Sequence, residues 1–171
     1  MDDWESGEKP TAEKMNANIR DVGNFHKNKP TAKVSRKLTA QTLTTNTTIV
    51  FDQVNVDNDD MVDLGVSTTQ ITIRTAGYYL VVGTLIWAEP AAGLGYYRQG
   101  KILKNGALVT NDIRGPIGNS TAQGLTFAAL PYCNVGDLLT LHMLHNATTS
   151  LTSLISDVDG CCSLLATWNN G

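Results

Sequence analysis

Charge is scarce in this 171-residue sequence: 17% of it is Asp, Glu, Lys or Arg, against about a quarter in an average globular protein. No basic excess compensates. The net charge is −3, which argues against a nucleic-acid partner, whose electrostatic footprint is a basic patch. No apolar run reaches the ~18 residues of a membrane span; residues 78–88 come nearest and are far too short, so no membrane insertion is expected. The opening Met1-Asp2-Asp3-Trp4-Glu5 has neither a basic n-region nor an apolar h-region, so no secretory signal is expected. Three cysteines, two of them adjacent (Cys161 and Cys162), cannot build a disulfide framework and lack the CxxC spacing of zinc sites. Buried free thiols are expected at Cys133, Cys161 and Cys162. Nothing resembles a nucleophile elbow, and the Gly-rich residues 115–124 lack the Lys-Ser/Thr ending of a phosphate loop. No catalytic residue and no cofactor is assigned.

Threonine is abundant, at 21 residues, which suits strands and polar turns better than helices. Charge is also uneven. Residues 1–37 hold eight of the thirteen Lys and Arg and six of the sixteen Asp and Glu. The shift near Lys37 divides an N-terminal arm, 1–37, from a body, 38–171. The arm repeats Lys9-Pro10-Thr11-Ala12 as Lys29-Pro30-Thr31-Ala32, and each copy can halt or start a helix. Between them Met15, Ile19 and Val22 fall at i, i+4 and i+7, predicting an amphipathic helix over 12–25 capped by Thr11. A helix this short is marginal alone. With Trp4 and Phe25, its apolar residues are expected to dock on a partner.

In the body the period changes to two. Ile49 and Phe51 alternate, then Val54 and Val56 alternate in the opposite phase, predicting a bulge or corner near Asp52-Gln53. Strands are expected around Ile71 and Ile73 and over 78–87, 97–104, 107–112, 125–130, 138–144, 151–155 and 161–168. Asn105-Gly106 reads as a hairpin turn, because both of its central positions need positive φ. Many short strands and almost no helix predict a mainly β protein, a sandwich or jelly roll preceded by a short α-helical arm.

Several of these strands are apolar on both faces. Leu80, Val82, Leu138 and Leu144 belong to the face opposite Val81, Leu85, Leu139 and Leu141. An isolated domain would expose them as a large apolar patch, so homo-oligomerisation is expected with those four at the interface. His142 and His145 lie three apart on a strand and point to opposite faces, which suits packed histidines rather than a shared metal. In Asp57-Asn58-Asp59-Asp60-Met61-Val62-Asp63, the carboxylates of Asp57, Asp59, Asp60 and Asp63 are formal candidates for Ca²⁺. The loop lacks the central Gly and terminal Glu of an EF-hand, and solvated turn acids are expected instead.

Phe51, the acid-rich loop, Ile71-Thr72-Ile73-Arg74-Thr75-Ala76-Gly77-Tyr78-Tyr79-Leu80-Val81, Arg98, Lys104-Asn105-Gly106, Gly136-Asp137-Leu138-Leu139-Thr140-Leu141 and Leu164-Leu165-Ala166-Thr167-Trp168 follow in order. Together they resemble the C1q/TNF-like jelly roll over residues 34–169. That resemblance implies a homotrimer about a threefold axis. No collagen Gly-X-Y repeat accompanies it. The arm from Trp4 to Asp21 is similar to N-terminal arms of structural proteins from tailed bacteriophages, especially phages of actinobacteria, which join a C-terminal knob to the particle. The two resemblances imply a non-enzymatic virion surface protein, assembled in the bacterial host cytoplasm. Its arm would hold another virion structural protein through Trp4, Met15, Ile19, Val22 and Phe25. A tail-associated fibre protein touching a host-surface glycan or protein through loops 91–95 and 114–118 is the leading expectation. A capsid decoration or head-fibre protein is the alternative, and the missing carboxylate or His constellation makes a glycan-cleaving spike improbable.

Overall fold

Strands that are apolar on both faces in the sequence still alternate in burial. From Gly77 to Trp87 every second side chain is buried, beginning with Gly77 itself, and the strands on either side follow the same rule. The structure, a computed structural model, describes residues 11, 14–16, 23, 28–88, 97–115, 122–148, 150–155 and 161–170. Its strands are β1 (Thr31–Arg36), β2 (Thr42–Leu43), β3 (Asn46–Thr48), β4 (Gln53–Asp57), β5 (Gln70–Thr72), β6 (Gly77–Trp87), β7 (Arg98–Lys104), β8 (Ala107–Arg114), β9 (Gln123–Ala129), β10 (Tyr132–Cys133), β11 (Leu138–His145), β12 (Leu151–Thr152) and β13 (Cys162–Asn170).

They form two antiparallel sheets. The first runs β10-β6-β13-β1-β4, with β9 continuing the β10 edge along β6. The second runs β3-β11-β7-β8, with β5 also on β11, and β2 pairs with β12 in a short ladder of its own. Between the sheets lie Phe51, Ile71, Tyr79, Val81, Leu85, Trp87, Ile102, Leu139, Leu141, Met143 and Leu164, each at most 1% exposed. Phe127 reaches across this layer because two facing positions lack side chains. A Cβ on Gly83 would sit 2.8 Å from Leu141 Cδ1, and one on Gly100 would sit 2.7 Å from Leu85 Cδ1 and against the Phe127 ring.

The body begins earlier than the charge boundary. β1 lies between β13 and β4, registered from Thr31↔Thr167 to Arg36↔Cys162, so residues 31–36 belong to the sandwich and not to the arm. Ala32 and Val34 are fully buried; the Lys and Arg that made this stretch look arm-like occupy its solvent side and ends. The second Lys-Pro-Thr-Ala copy accordingly opens a strand rather than a helix. Of the predicted arm helix, Lys14–Asn16 and Gly23 are described and helical. Thr11 caps it, its Oγ1 accepting the Lys14 amide at 3.3 Å and its carbonyl the Met15 amide at 3.0 Å. Trp4, Ile19, Val22 and Phe25 lie outside the described residues.

The chain crosses from the second sheet to the first between Thr48 and Gln53, with Ile49 and Phe51 buried on the way. That is the expected corner. The ladder irregularity falls slightly later, where Lys33 and Val34 meet Val56 and Val54 and leave Asn55 unmatched. Asn105 and Gly106 have φ of 51° and 80°, the positive pair that a two-residue hairpin of matching twist requires.

Candidate functional site

The two sheets present unlike outer surfaces. On the first, β6 turns Tyr78, Leu80, Val82, Thr84 and Ile86 outward. β13 sets Leu165 beside Val82 and Thr167 beside Leu80, and β9 sets Ala128 on the other flank of Val82. Tyr78 and Tyr132 meet edge to face with ring centroids 5.2 Å apart. Tyr78, Leu80, Leu130 and Tyr132 are 46%, 42%, 51% and 46% exposed, forming a contiguous apolar area at the arm end of the sheet. Lys33 interrupts it between Leu165 and Val56.

On the second sheet, β11 turns Leu138, Thr140, His142 and Leu144 outward, all half-buried. Their cross-strand neighbours are largely polar: Lys101 and Thr48 flank His142, and Gln99 and Asn46 flank Leu144. Burial, then the Lys101 charge, pushes the His142 pKa below its ordinary value, and its ring lies 3.3 Å from Thr48 Oγ1 and 3.2 Å from Thr140 Oγ1.

The four predicted interface residues therefore do not share a surface. Leu80 and Val82 stand on the outer face of one sheet, Leu138 and Leu144 on the outer face of the other. Parity along a strand says inward or outward, but not which sheet the strand joins. Patches on opposite faces would stack copies head to tail, whereas a closed ring needs patches inclined to one another.

The acid-rich loop has a structural task. Asp57 accepts the amides of Asp59 and Met61 on Oδ1 (3.4 and 2.9 Å) and of Val62 on Oδ2 (2.9 Å). Asp63 Oδ1 accepts the Gly65 amide at 2.9 Å. These oxygens close the loop on its own backbone, and no group of three His, Cys, Asp or Glu converges among the described residues. The loop also holds the place where the arm enters the body. Asn58 accepts the Thr31 amide on Oδ1 at 2.6 Å, donates from Nδ2 to the Lys29 carbonyl at 2.9 Å, and donates its own amide to the Thr31 carbonyl at 3.1 Å. Next to it the Trp168 amide donates to the Pro30 carbonyl at 2.8 Å, and Lys29 Nζ lies 5.9 Å from the Trp168 ring centroid. Composition revealed the acids but not this use, because Asn58 acts on residues 27 and 29 positions away.

His145 is 1% exposed, its Nε2 donating to the Leu43 carbonyl at 3.0 Å and its Nδ1 accepting the Ala147 amide at 3.1 Å. It thus faces inward while His142 faces outward. Cys133 and Cys162 are buried and Cys161 half-buried, all as free thiols. Burial pushes the Cys162 thiol up to about 11, far from the reactive thiolate range. Of the loops expected to touch a host, Arg114 and Gly115 are described and exposed; 91–95 and 116–118 lie outside the described residues.

This strand order, two sheets enclosing β6 and β11 with Tyr79 buried and its hydroxyl donating to the Thr75 carbonyl at 2.6 Å, can be set against solved structures. The chain is similar to murine APRIL at pH 5.0, with a TM-score of 0.61 and 11% identity over 81% of this chain and 98% of that one. It is similar to the globular domain of a zebrafish complement 1qA protein, with a TM-score of 0.58 and 12% identity over 84% of this chain and all of that one. The fold is a C1q/TNF-like jelly roll. At such identity the likeness is one of fold. No protein-family model and no curated protein matches the chain.

Proposed function

We propose that this chain is a non-enzymatic, homotrimeric surface knob of a bacteriophage particle, mounted through its N-terminal arm on another virion protein and contributing, as a tail-associated protein, to host attachment. One observation carries the assembly: the apolar outer face of the first sheet, centred on Leu80 and Tyr78. A monomer would leave this face in water, and burial releases about 25 cal/mol for each Å² of apolar surface covered. A second copy of the same chain is the simplest cover. In this reading Leu80 and Val82 lie at the interface, while Leu138 and Leu144 face solvent.

The virion role rests on the arm's likeness to phage arms and on the way the body receives it. Asn58, Pro30 and Trp168 grip the entry backbone, as suits a part that transmits position from a mount to a knob. Light scattering on purified protein tests the assembly. Wild type is expected at three times the chain mass, and Leu80→Asp as a folded monomer. A trimeric Leu80→Asp overturns the assignment of the face. For the role, labelled trimer should bind host cells and label virions at the tail; label on the shell, with no cell binding, would instead make it a capsid decoration.

A further inference from the structure

The arm enters at one end of the sandwich, beside Thr31, Asp57, Gly77 and the β7–β8 turn. The opposite end carries His145, Arg98, Arg114, Trp87 and Gln123, where β7, β8, β9 and β11 begin or end away from the arm. If the arm points to the particle, this second end points outward. A cleft of about 230 Å³ opens there, lined by Thr44, Thr45, His145, Ala147, Thr148 and Ser150. We infer that this cleft binds one neutral sugar ring; the inference rests on the attachment reading above and gives it a site.

The lining chooses the ligand class. Among the described residues it carries no charged side chain. His145 adds none, because one ring nitrogen donates and the other accepts, which is the neutral tautomer. An anionic or cationic ligand therefore meets no counter-charge. An apolar ligand would have to strip water from hydroxyls without replacing it, at a cost of about 1–3 kcal/mol for each polar group left unmatched. A pyranose offers the opposite: hydroxyls that both donate and accept, as Thr and Ser hydroxyls do.

The walls are also set in advance. Thr44 is held by Thr47, whose Oγ1 accepts the Thr44 amide at 2.9 Å and lies 3.0 Å from Thr44 Oγ1. The Thr45 carbonyl accepts the His145 amide at 3.1 Å, so Thr45 is tied to a buried residue, while Thr44 is tied to its own turn. The side-chain hydroxyls of Thr45, Thr148 and Ser150 make no hydrogen bond among the described residues and stand ready for a ligand. The volume falls below the roughly 300 Å³ at which sites for drug-sized ligands begin, and fits a terminal ring rather than a chain. Such a site is weak singly and gains by repetition, which three outward-pointing clefts on one trimer would supply.

The test titrates full-length protein with methyl glycosides of glucose, galactose, mannose, rhamnose and N-acetylglucosamine, and with glucuronic acid as a charged probe, following backbone amides by NMR. At least one neutral probe should shift the amides of Thr45, His145 and Ala147 saturably. Thr148→Val and Thr45→Val, each removing one hydroxyl at constant shape, should weaken that binding about fivefold without changing the remaining spectrum. No saturable shift, a preference for glucuronic acid, or unchanged binding in both variants overturns the site. Host-cell binding separates the two readings. Cell binding untouched by Thr148→Val removes the cleft and keeps attachment, whereas sugar binding without cell binding keeps the cleft and removes attachment.

Discussion

The outer faces of the two sheets are built from the same kind of strand and have opposite characters. β6 and β11 both alternate strictly, and both bury Leu or Val on their inner side. Yet β6 shows water a run of Tyr, Leu and Val, while β11 shows Leu, Thr and His among Lys101, Gln99 and Thr48. The difference comes from neighbours, not from the strands themselves. β9 and β13 extend the apolar surface of β6 sideways with Ala128 and Leu165, whereas β3 and β7 dilute that of β11. A leucine on a sheet surface becomes part of an apolar patch only when the adjoining strands agree with it.

The strongest way to break this comparison is to remove what the two faces share. Leu141 is fully buried against both sheets, and Leu141→Asp would place an unpaired charge there. A loss above ~4 kcal/mol is expected, seen as loss of cooperative unfolding by circular dichroism. Next comes the pair that separates the faces: Leu80→Asp should yield folded monomer, and Leu144→Asp should stay trimeric with its melting temperature within a few degrees of wild type. If Leu144→Asp also dissociates, the second sheet takes part in assembly.

Two further changes act on side-chain ties, one at the crossing and one from sheet to sheet. Asp52, at the crossing between them, accepts the amides of Lys37 (2.7 Å), Leu38 (3.1 Å) and Thr39 (3.0 Å) and the Thr39 hydroxyl (3.1 Å). Arg36 Nε stands 3.5 Å away. Burial pushes this carboxyl up, but the hydrogen bonds outweigh it and hold its pKa below the ordinary value. Its contribution is therefore full above the unfolded value near 3.8 and lost as pH falls through the lower folded one. Asp52→Asn should cost about 1–3 kcal/mol at neutral pH and flatten the fall in melting temperature below about pH 4. An unchanged acid limb would deny Asp52 this role. The smallest effect belongs to Lys104, whose Nζ donates to the Tyr132 carbonyl at 2.8 Å and lies 3.4 Å from Asp137. This pairing is part-exposed, and Lys104→Met should cost under about 1 kcal/mol, read by urea denaturation.

Much of this fold was legible in the sequence for local reasons. Short β-branched and apolar runs bounded by turn residues marked β6, β7, β9, β11 and β13, and Asn105-Gly106 announced its turn through backbone sterics alone. What was not legible depends on distant partners. Leu80 and Leu138 look alike in the sequence, and only strand pairing sends them to opposite sides of the sandwich. The basic residues of 31–37 concealed β1, whose buried members are just Ala32, Val34 and Ser35. Asn105 and Asp137 read as two independent turns. In fact Asn105 Nδ2 donates to Asp137 Oδ1 at 2.7 Å and the Leu138 amide donates to Asn105 Oδ1 at 2.8 Å, so they make one knot. The hydroxyl-lined cleft was not legible because its residues come from two segments about a hundred positions apart, each an ordinary polar turn.

The placement of β1 has a mechanical consequence. It leaves the arm as an inner strand, bonded on one side to β13 and on the other to β4, with six and four registered pairs. A pull on the residues before Thr31, against the rest of the domain, would act along the strand and load both ladders in shear. Those bonds must then yield together rather than one at a time, as they would in a strand peeled from an edge. Such a junction resists tension better than an edge strand would.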